Sequence, residues 1–423
     1  MRNFSFLACI VILASCSQAT SPLPNSRNFA GAVFNAPGVR PASGGPWLCG
    51  QPPSARPHIN NGAEPQLGGT YKELYKFKAG SDGGYPYGSL TELKGKLYGT
   101  TDEGGSAGYG TVYEMSLIGH ERVLYSFKSG NDGAYPCDSL VAVGGKLFGT
   151  TQSGGTYGWG TVFELGTTGQ EHVIYSFKAG KDGAAPYAGL LYFKLPFQKG
   201  KFYGTTVEGG KNGWGTIFET TAAGPAHVIY SFKAGQDGGY PYGKLIAVNG
   251  TLYGTTMQGG SSGWGTVFAA SALGKEHPIY SFKAGNDGGY PFDGVTDLNG
   301  KLYGTTKYGG PPGFGIVFEV SVTGKERVVY SFKAGKDGAY PYGGLTPYRG
   351  ALFGTTVEGS KANWGTVFGV GTTGKESVLY RFEAGKDGAY PFARLSLVNN
   401  RLYGTTQGGG VNGGWGTVFN IAP

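Results

Sequence analysis

Seven aspartates, Asp82, Asp132, Asp182, Asp237, Asp287, Asp337 and Asp387, each open the pattern Asp-Gly-x-x-Pro. An aromatic residue closes the pattern in six copies, as Tyr87, Tyr187, Tyr242, Phe292, Tyr342 and Phe392, and Cys137 closes it in the other. A second aromatic series runs Tyr109, Trp159, Trp214, Trp264, Phe314, Trp364 and Trp415. Carboxylates beside flat rings are the groups that hold sugars: ring faces cover C–H surface and carboxylates accept from hydroxyls. Seven carboxylates also raise the question of metal. One per loop is poor for calcium, which takes roughly six to eight clustered oxygens. Asp before Gly suits a turn in which the side chain accepts from its own loop and Gly takes a positive φ. The aspartates are therefore read as turn formers first. The rings are read first as the core that stacked repeats must bury.

Catalytic constellations are missing. Of five histidines, His58 precedes the repeats, His120 falls in a turn, and His172, His227 and His277 share one strand position expected on the outside. None has a neighbouring nucleophile or metal-ligand spacing. Carboxylates repeat with the copies, so no pair stands out as a glycosidase couple. No catalytic residue, metal or cofactor is assigned. An enzyme would need unique polar residues from a few copies inside a channel, whereas a binder can use repeated ones.

The elements that position these residues follow from the period. Leu-Tyr-Gly-Thr-Thr occurs at 97–101, 252–256, 302–306 and 402–406, with variants at 147–151, 202–206 and 352–356. The aspartates are fifty residues apart, except for fifty-five between Asp182 and Asp237. In the fourth copy, Lys244–Val248 reads as strand A and Asn249-Gly250 as a hairpin turn. Strand B is 251–256, a Gly-rich loop follows, strand C is 265–270, and a turn near Gly274 returns strand D at 276–282. Runs such as Val-Ile-Tyr-Ser-Phe do not alternate, which predicts burial on both faces. Seven four-stranded antiparallel units that need neighbours on both faces describe a seven-bladed β-propeller over residues 67–423. The ends are complementary. The last copy stops after strand C, and the first ordered segment, 71–77, is a lone D strand. Pairing the two closes the ring and removes a free edge.

The motifs Leu-Tyr-Ser-Phe, Asp-Gly-x-x-Pro-Tyr, Leu-Tyr-Gly-Thr-Thr and Gly-Thr-Val-Phe closely resemble the GloVer tandem-repeat family of exported bacterial proteins across residues 71–421. The resemblance implies export and a repeat architecture and brings no activity with it. The Gly-Gly after strand B and the later Trp resemble kelch repeats more loosely.

Ahead of the repeats, Arg2 and the apolar run Phe4–Leu13 lead into Leu13-Ala14-Ser15-Cys16. This resembles the lipobox of bacterial lipoproteins and implies cleavage of 1–15 and acylation of Cys16, with an ordinary secretory signal as the alternative. Both place the protein outside the cytoplasm, and the lipobox anchors it to an envelope membrane, the outer membrane or cell surface. Residues 16–66, rich in Pro, Ser, Asn and Gly, read as a flexible tether with a reach of roughly 40 Å. Cys49 and Cys137 could pair in an exported protein. The formal charge of +8 is spread through the repeats, which argues against a nucleic-acid partner.

Loops B–C and links D–A share one rim, so Asp237, Tyr240, Tyr242 and Trp264 crowd one face with their counterparts, among them Trp159, Trp214, Trp364 and Trp415. That face is the candidate ligand surface. On the opposite rim, the third copy carries five extra residues within 191–199, whose Tyr192, Phe193 and Phe197 are a candidate protein contact. The reading is a monomeric, membrane-anchored, non-enzymatic binding or scaffolding propeller for a glycan or a protein. Its alternative is a polysaccharide hydrolase or lyase with a site in the channel.

Overall fold

The computed structural model describes residues 70–195, 197–360, 363–385, 387–410 and 414–423. The signal segment, the tether, Cys16 and Cys49 lie outside the described residues.

Seven four-stranded antiparallel sheets are present, each ordered A-B-C-D. Blades 1 to 6 span 91–126, 141–176, 191–231, 246–281, 296–331 and 346–381. Blade 7 takes strands A to C from Ser396–Val398, Arg401–Thr406 and Thr417–Ile421, and its strand D is Tyr71–Lys76. The N-terminal strand pairs antiparallel with the C-terminal one from Tyr71↔Ile421 to Lys76↔Thr417. The closing seam is also held by Ser396 Oγ donating to Leu90 O at 2.6 Å and Tyr71 Oη donating to Asp387 O at 2.6 Å. The Tyr71 ring stacks on Tyr380 at 3.9 Å.

The repeat motifs each have a packing reason. The Phe that ends strand D meets the aromatic residue of strand C in the next blade, edge to face, at all seven seams. These pairs run from Phe77–Tyr113 to Phe382–Phe419, with centroids 5.0–5.3 Å apart. Each such pair adds about 0.5–1.5 kcal/mol beyond its buried area. In Leu-Tyr-Gly-Thr-Thr the glycine lies opposite that strand C ring in its own blade, and a Cβ on Gly204 would sit 2.5 Å from Phe218. The first threonine ties blades together, as when Thr255 Oγ1 donates to Asp293 O of the next link at 2.9 Å. The second locks B to C, with Thr256 Oγ1 2.8 Å from Thr266 Oγ1.

Short A strands line the axis and touch their neighbours, and D strands form the outer wall. This corrects the expectation for strand D. Strands B and C are the ones buried on both faces, while the D run Val-Ile-Tyr-Ser is half-buried in most blades because nothing covers the outer edge. His172, His227 and His277 are exposed on this wall.

Candidate functional site

B–C loops and D–A links do share one rim. Isolated bridges such as Gly239↔Gln258 join them, and Tyr240 N donates to Trp214 O of the preceding blade at 3.0 Å. Three concentric layers make up this rim.

The outermost is the aspartate layer. Each repeated Asp accepts from the tyrosine of the preceding strand D, at 2.5–2.8 Å, and from the backbone N–H four residues back. Asp237, for example, takes Tyr230 Oη at 2.5 Å and Lys233 N at 3.1 Å. A glutamate from the next strand D faces this pair at most seams. Burial pushes Glu121, Glu171, Glu276, Glu326 and Glu376 up to about 7, and the neighbouring aspartate adds to the shift.

Next comes a layer of ring pairs. Trp214–Tyr240, Trp264–Tyr290, Trp364–Tyr390 and Trp415–Tyr85 have centroids 4.9–5.1 Å apart. These tyrosines take a left-handed backbone (φ 56 at Tyr240), a conformation that costs a non-glycine residue about 1 kcal/mol or more and that ring pairing offsets. Blade 2 breaks the pattern. Ala185 stands where the tyrosine would be, no ring pairs with Trp159 among the described residues, and Trp159 is 45% exposed. In the same loop Tyr157 is 51% exposed. The other six copies carry no aromatic residue there, as at Ala107, Asn212, Ser262 and Pro312.

The innermost layer is the channel mouth. Tyr187, Tyr242, Phe292, Tyr342, Phe392 and Tyr87 form a collar of successive rings 4.7–5.5 Å apart, and Cys137 fills the remaining place. Cys137 is disulfide-bonded; Cys49, which the sequence offers as one that could pair with it, lies outside the described residues. Beside Cys137, Asp102 is 2% exposed, and burial pushes its carboxyl well above the ordinary range. Across the collar, Lys307 Nζ lies 4.8 Å from the Tyr342 centroid.

One residue deeper, four charges from four blades meet on the axis. Asp138 accepts from Gly189 N at 2.6 Å, and Lys244 Nζ donates to Ser139 Oγ at 3.2 Å. Asp293 accepts from Gly344 N at 2.7 Å, and Arg394 Nε lies 3.4 Å from Asp293 Oδ2 while its Nη2 donates to Gly294 O at 3.1 Å. Burial pushes the Asp138 carboxyl up, helped by the Asp293 charge and opposed by Lys244. Burial pulls the Lys244 ammonium down, opposed by Asp138. Each cation reaches a group two blades away, so the pairs strap the channel across its width. The sequence reading missed these four residues, although the two positions after Pro-aromatic are where the copies disagree most in charge.

On the opposite rim the enlarged hairpin exposes Phe197 fully, folds the Tyr192 ring against Phe202 at 5.1 Å, and packs Phe193 into the core between blades 3 and 4. Of the named candidates, the structure brings together Tyr240 with Trp214 and Tyr242 with the collar. It leaves Trp159 apart. No group of three or more His, Cys, Asp or Glu among the described residues could hold a metal ion.

A family model described as the Gloeobacter/Verrucomicrobia repeat matches residues 64–198 and 142–349. No curated protein matches the chain. Among solved structures it is similar to a putative 6-phosphogluconolactonase from Bacteroides uniformis, at 16% identity over 69% of this chain and 83% of that one, with a TM-score of 0.44. It is also similar to a gluconolactonase from Xanthomonas campestris (11%, 87% and 98%, TM-score 0.42) and to a puromycin hydrolase (10%, 79% and 52%, TM-score 0.48). At these identities and scores the likenesses carry no argument about activity. The propeller rests on the chain's own strand pairing.

Proposed function

The chain belongs to the Gloeobacter/Verrucomicrobia repeat family, and from that premise we propose that it is an exported, membrane-anchored, non-enzymatic binding propeller that docks a glycan on its loop rim. The observation that supports this reading is the unpaired Trp159. A ring that its counterparts cover with tyrosine is left in water where Ala185 stands, beside a second exposed ring, Tyr157. Covering roughly 100 Å² of indole gives about 2–3 kcal/mol. One such ring is a weaker-than-millimolar contact, so docking uses several groups.

A glycan array probed with the purified protein tests the reading. Trp159→Ala should abolish array signals while leaving the melting temperature unchanged. A wild-type protein that binds no glycan overturns it. Anchoring is tested separately: Cys16→Ala should move the protein from the membrane fraction to the soluble one, and unchanged partitioning defeats the lipoprotein reading.

A second reading, a polysaccharide hydrolase or lyase, is favoured by the unique carboxylates Asp138 and Asp293 at the axis. Release of reducing ends from a polysaccharide panel, lost in Asp138→Asn, would support it over binding.

A further inference from the structure

We infer that the hairpin rim, opposite the loop rim, seats on an anionic lipid surface, with Phe197 and Leu273 entering the headgroup layer and unpaired lysines facing lipid phosphates. This goes beyond the glycan reading and does not rest on it.

The turns at this end form one edge. In blade 4 the pairs Val248↔Thr251 and Thr251↔Ser271 place the A–B turn at Asn249-Gly250 beside the C–D turn at 272–274. Blades 1, 5 and 6 do the same through Lys96↔Ser116, Lys301↔Ser321 and Ala351↔Gly371. Successive blades touch here. Leu195 Cδ2 of the enlarged hairpin lies 3.8 Å from where a Cβ on Gly250 would sit, and Arg327 Nη2 donates to Thr372 O of the next C–D turn at 2.9 Å.

Exposed hydrocarbon gathers at this edge. Ile118, Phe197, Leu273 and Val322 project from its turns, with Phe197 and Leu273 fully exposed, and Leu397 lies on a strand A by the channel. The rings exposed at the loop rim, Tyr157, Trp159 and Tyr308, each carry a polar atom instead. Apolar side chains on separate turns can each enter a deformable lipid layer alone, whereas a rigid protein partner must match them all at once.

Charge selects the kind of surface. Lys94, Lys194, Lys199, Lys275, Lys325 and Lys375 are exposed on the same turns and have no ion pair among the described residues. The strand C glutamates of this end are already taken, Glu114 by Lys96 at 2.9 Å, Glu219 by Lys201 at 2.7 Å and Glu319 by Lys301 at 2.6 Å. The glutamates that start strand D turn into the seams, as Glu276 does toward Tyr230 and Asp237. Glu92 and Asp297 remain as the exposed acids of this end among the described residues. Loop-rim lysines are offset differently: Lys128 and Lys178 each stand four residues before a repeated aspartate. The hairpin rim is the cationic end, and anionic headgroups attract such lysines over a Debye length of roughly 8–10 Å.

Co-sedimentation with vesicles tests this, using the full chain with Cys16→Ala so that no acyl chain contributes. The contact is weak alone, so this protein stays soluble in dilute fractions and binds when lipid is in excess. It should sediment with mixed phosphatidylcholine–phosphatidylglycerol vesicles, bind phosphatidylcholine alone at least tenfold less, and be released by added salt. Lys194→Glu with Lys199→Glu should weaken binding at least tenfold and Phe197→Ser several-fold, both with unchanged melting temperature. Lys128→Glu with Lys178→Glu, on the loop rim, should change it less than twofold. Equal losses in the two lysine pairs reduce the effect to net charge and overturn the assignment to this rim. Unchanged binding in Phe197→Ser overturns the insertion. No sedimentation with the anionic vesicles overturns the proposal and returns the hairpin to a protein contact, while the glycan array decides the loop rim separately.

Discussion

Between blades 4 and 5 the seam holds a complete set: Trp264 against Tyr290, Tyr280 donating to Asp287, Glu326 facing both, and Phe282 edge-on to Phe318. Between blades 2 and 3 the Phe177–Phe218 pair and the Tyr175–Asp182 bond remain, at 5.1 and 2.6 Å. Ala185 replaces the rim tyrosine, however, and Ala226 stands at the glutamate's strand position. The parts kept at both seams are buried and hold one blade to the next. The parts lost lie at the half-exposed rim, where a ring can be given up without opening the core. The rim can therefore be freed for binding while the deep contacts carry the fold.

The widest break removes what both seams presuppose, a closed ring. Deleting 67–78 strips blade 7 of its outer strand, exposes the edge of Thr417–Ile421, and should make the protein elute as aggregate in size-exclusion chromatography. A monomer that melts like the parent would show that closure is dispensable. Next, Phe282→Ala and Phe177→Ala should each cost about 3–5 kcal/mol in denaturant unfolding, and the same at both seams. A loss below about 1 kcal/mol for Phe177 alone would mean that the two seams are not closed alike.

The tryptophans should part company. Trp264→Ala, which strips a paired ring, should cost about 2–3 kcal/mol, and Trp159→Ala less than about 1 kcal/mol. Equal costs would erase the distinction between the seams.

A smaller effect is pH dependence. Five seam glutamates rise from 4.5 to about 7 in the fold. The folded chain then binds more protons than the unfolded one. The stability this gives is fully present below about 4.5 and drains away as pH rises through about 7. The melting temperature should fall between pH 5.5 and 8.5. Glu276→Gln should flatten that fall, and Ala226→Glu should steepen it. A melting temperature that rises over this interval contradicts the assignment.

Smallest of all is repair. Ala185 already has φ 52, the conformation its six tyrosine counterparts adopt, so Ala185→Tyr should add about 0.5–1 kcal/mol by covering Trp159. Glycan binding should weaken with it. Binding that survives the cover would place the ligand elsewhere.

Most of the architecture was readable from the sequence because its signals are local. Asn249-Gly250 turns a hairpin within two residues, and the orphan strand at each end declares its complement. The Asp-Gly turn was readable for the same reason, but its tyrosine partner on the preceding strand was not. The charges on the axis were invisible because Lys244 and Ser139 are 105 residues apart and meet only once the ring has closed. Ala185 and Ala226 were overlooked for a different reason. Reading the fourth copy as the pattern for all seven hides positions where a neighbour has dropped a part, and a missing ring matters only when its partner lies across a seam.

Ring closure also sets an order in time. Tyr71 is made first and pairs with Ile421, so its strand must wait while almost the whole chain is synthesised. During that wait it meets six earlier C strands, most of them close copies of the one it needs, such as Thr-Val-Phe at 161, 266 and 366. Sequence alone gives it little to choose by. What protects it is that each of those six is joined by a short turn to its own D strand, and hairpins form in about 1–10 μs, well ahead of any distant competitor. The last C strand, Thr417–Ile421, instead takes its outer partner from Tyr71–Lys76. The waiting strand finds its place by elimination, and the ring can be completed in only one register.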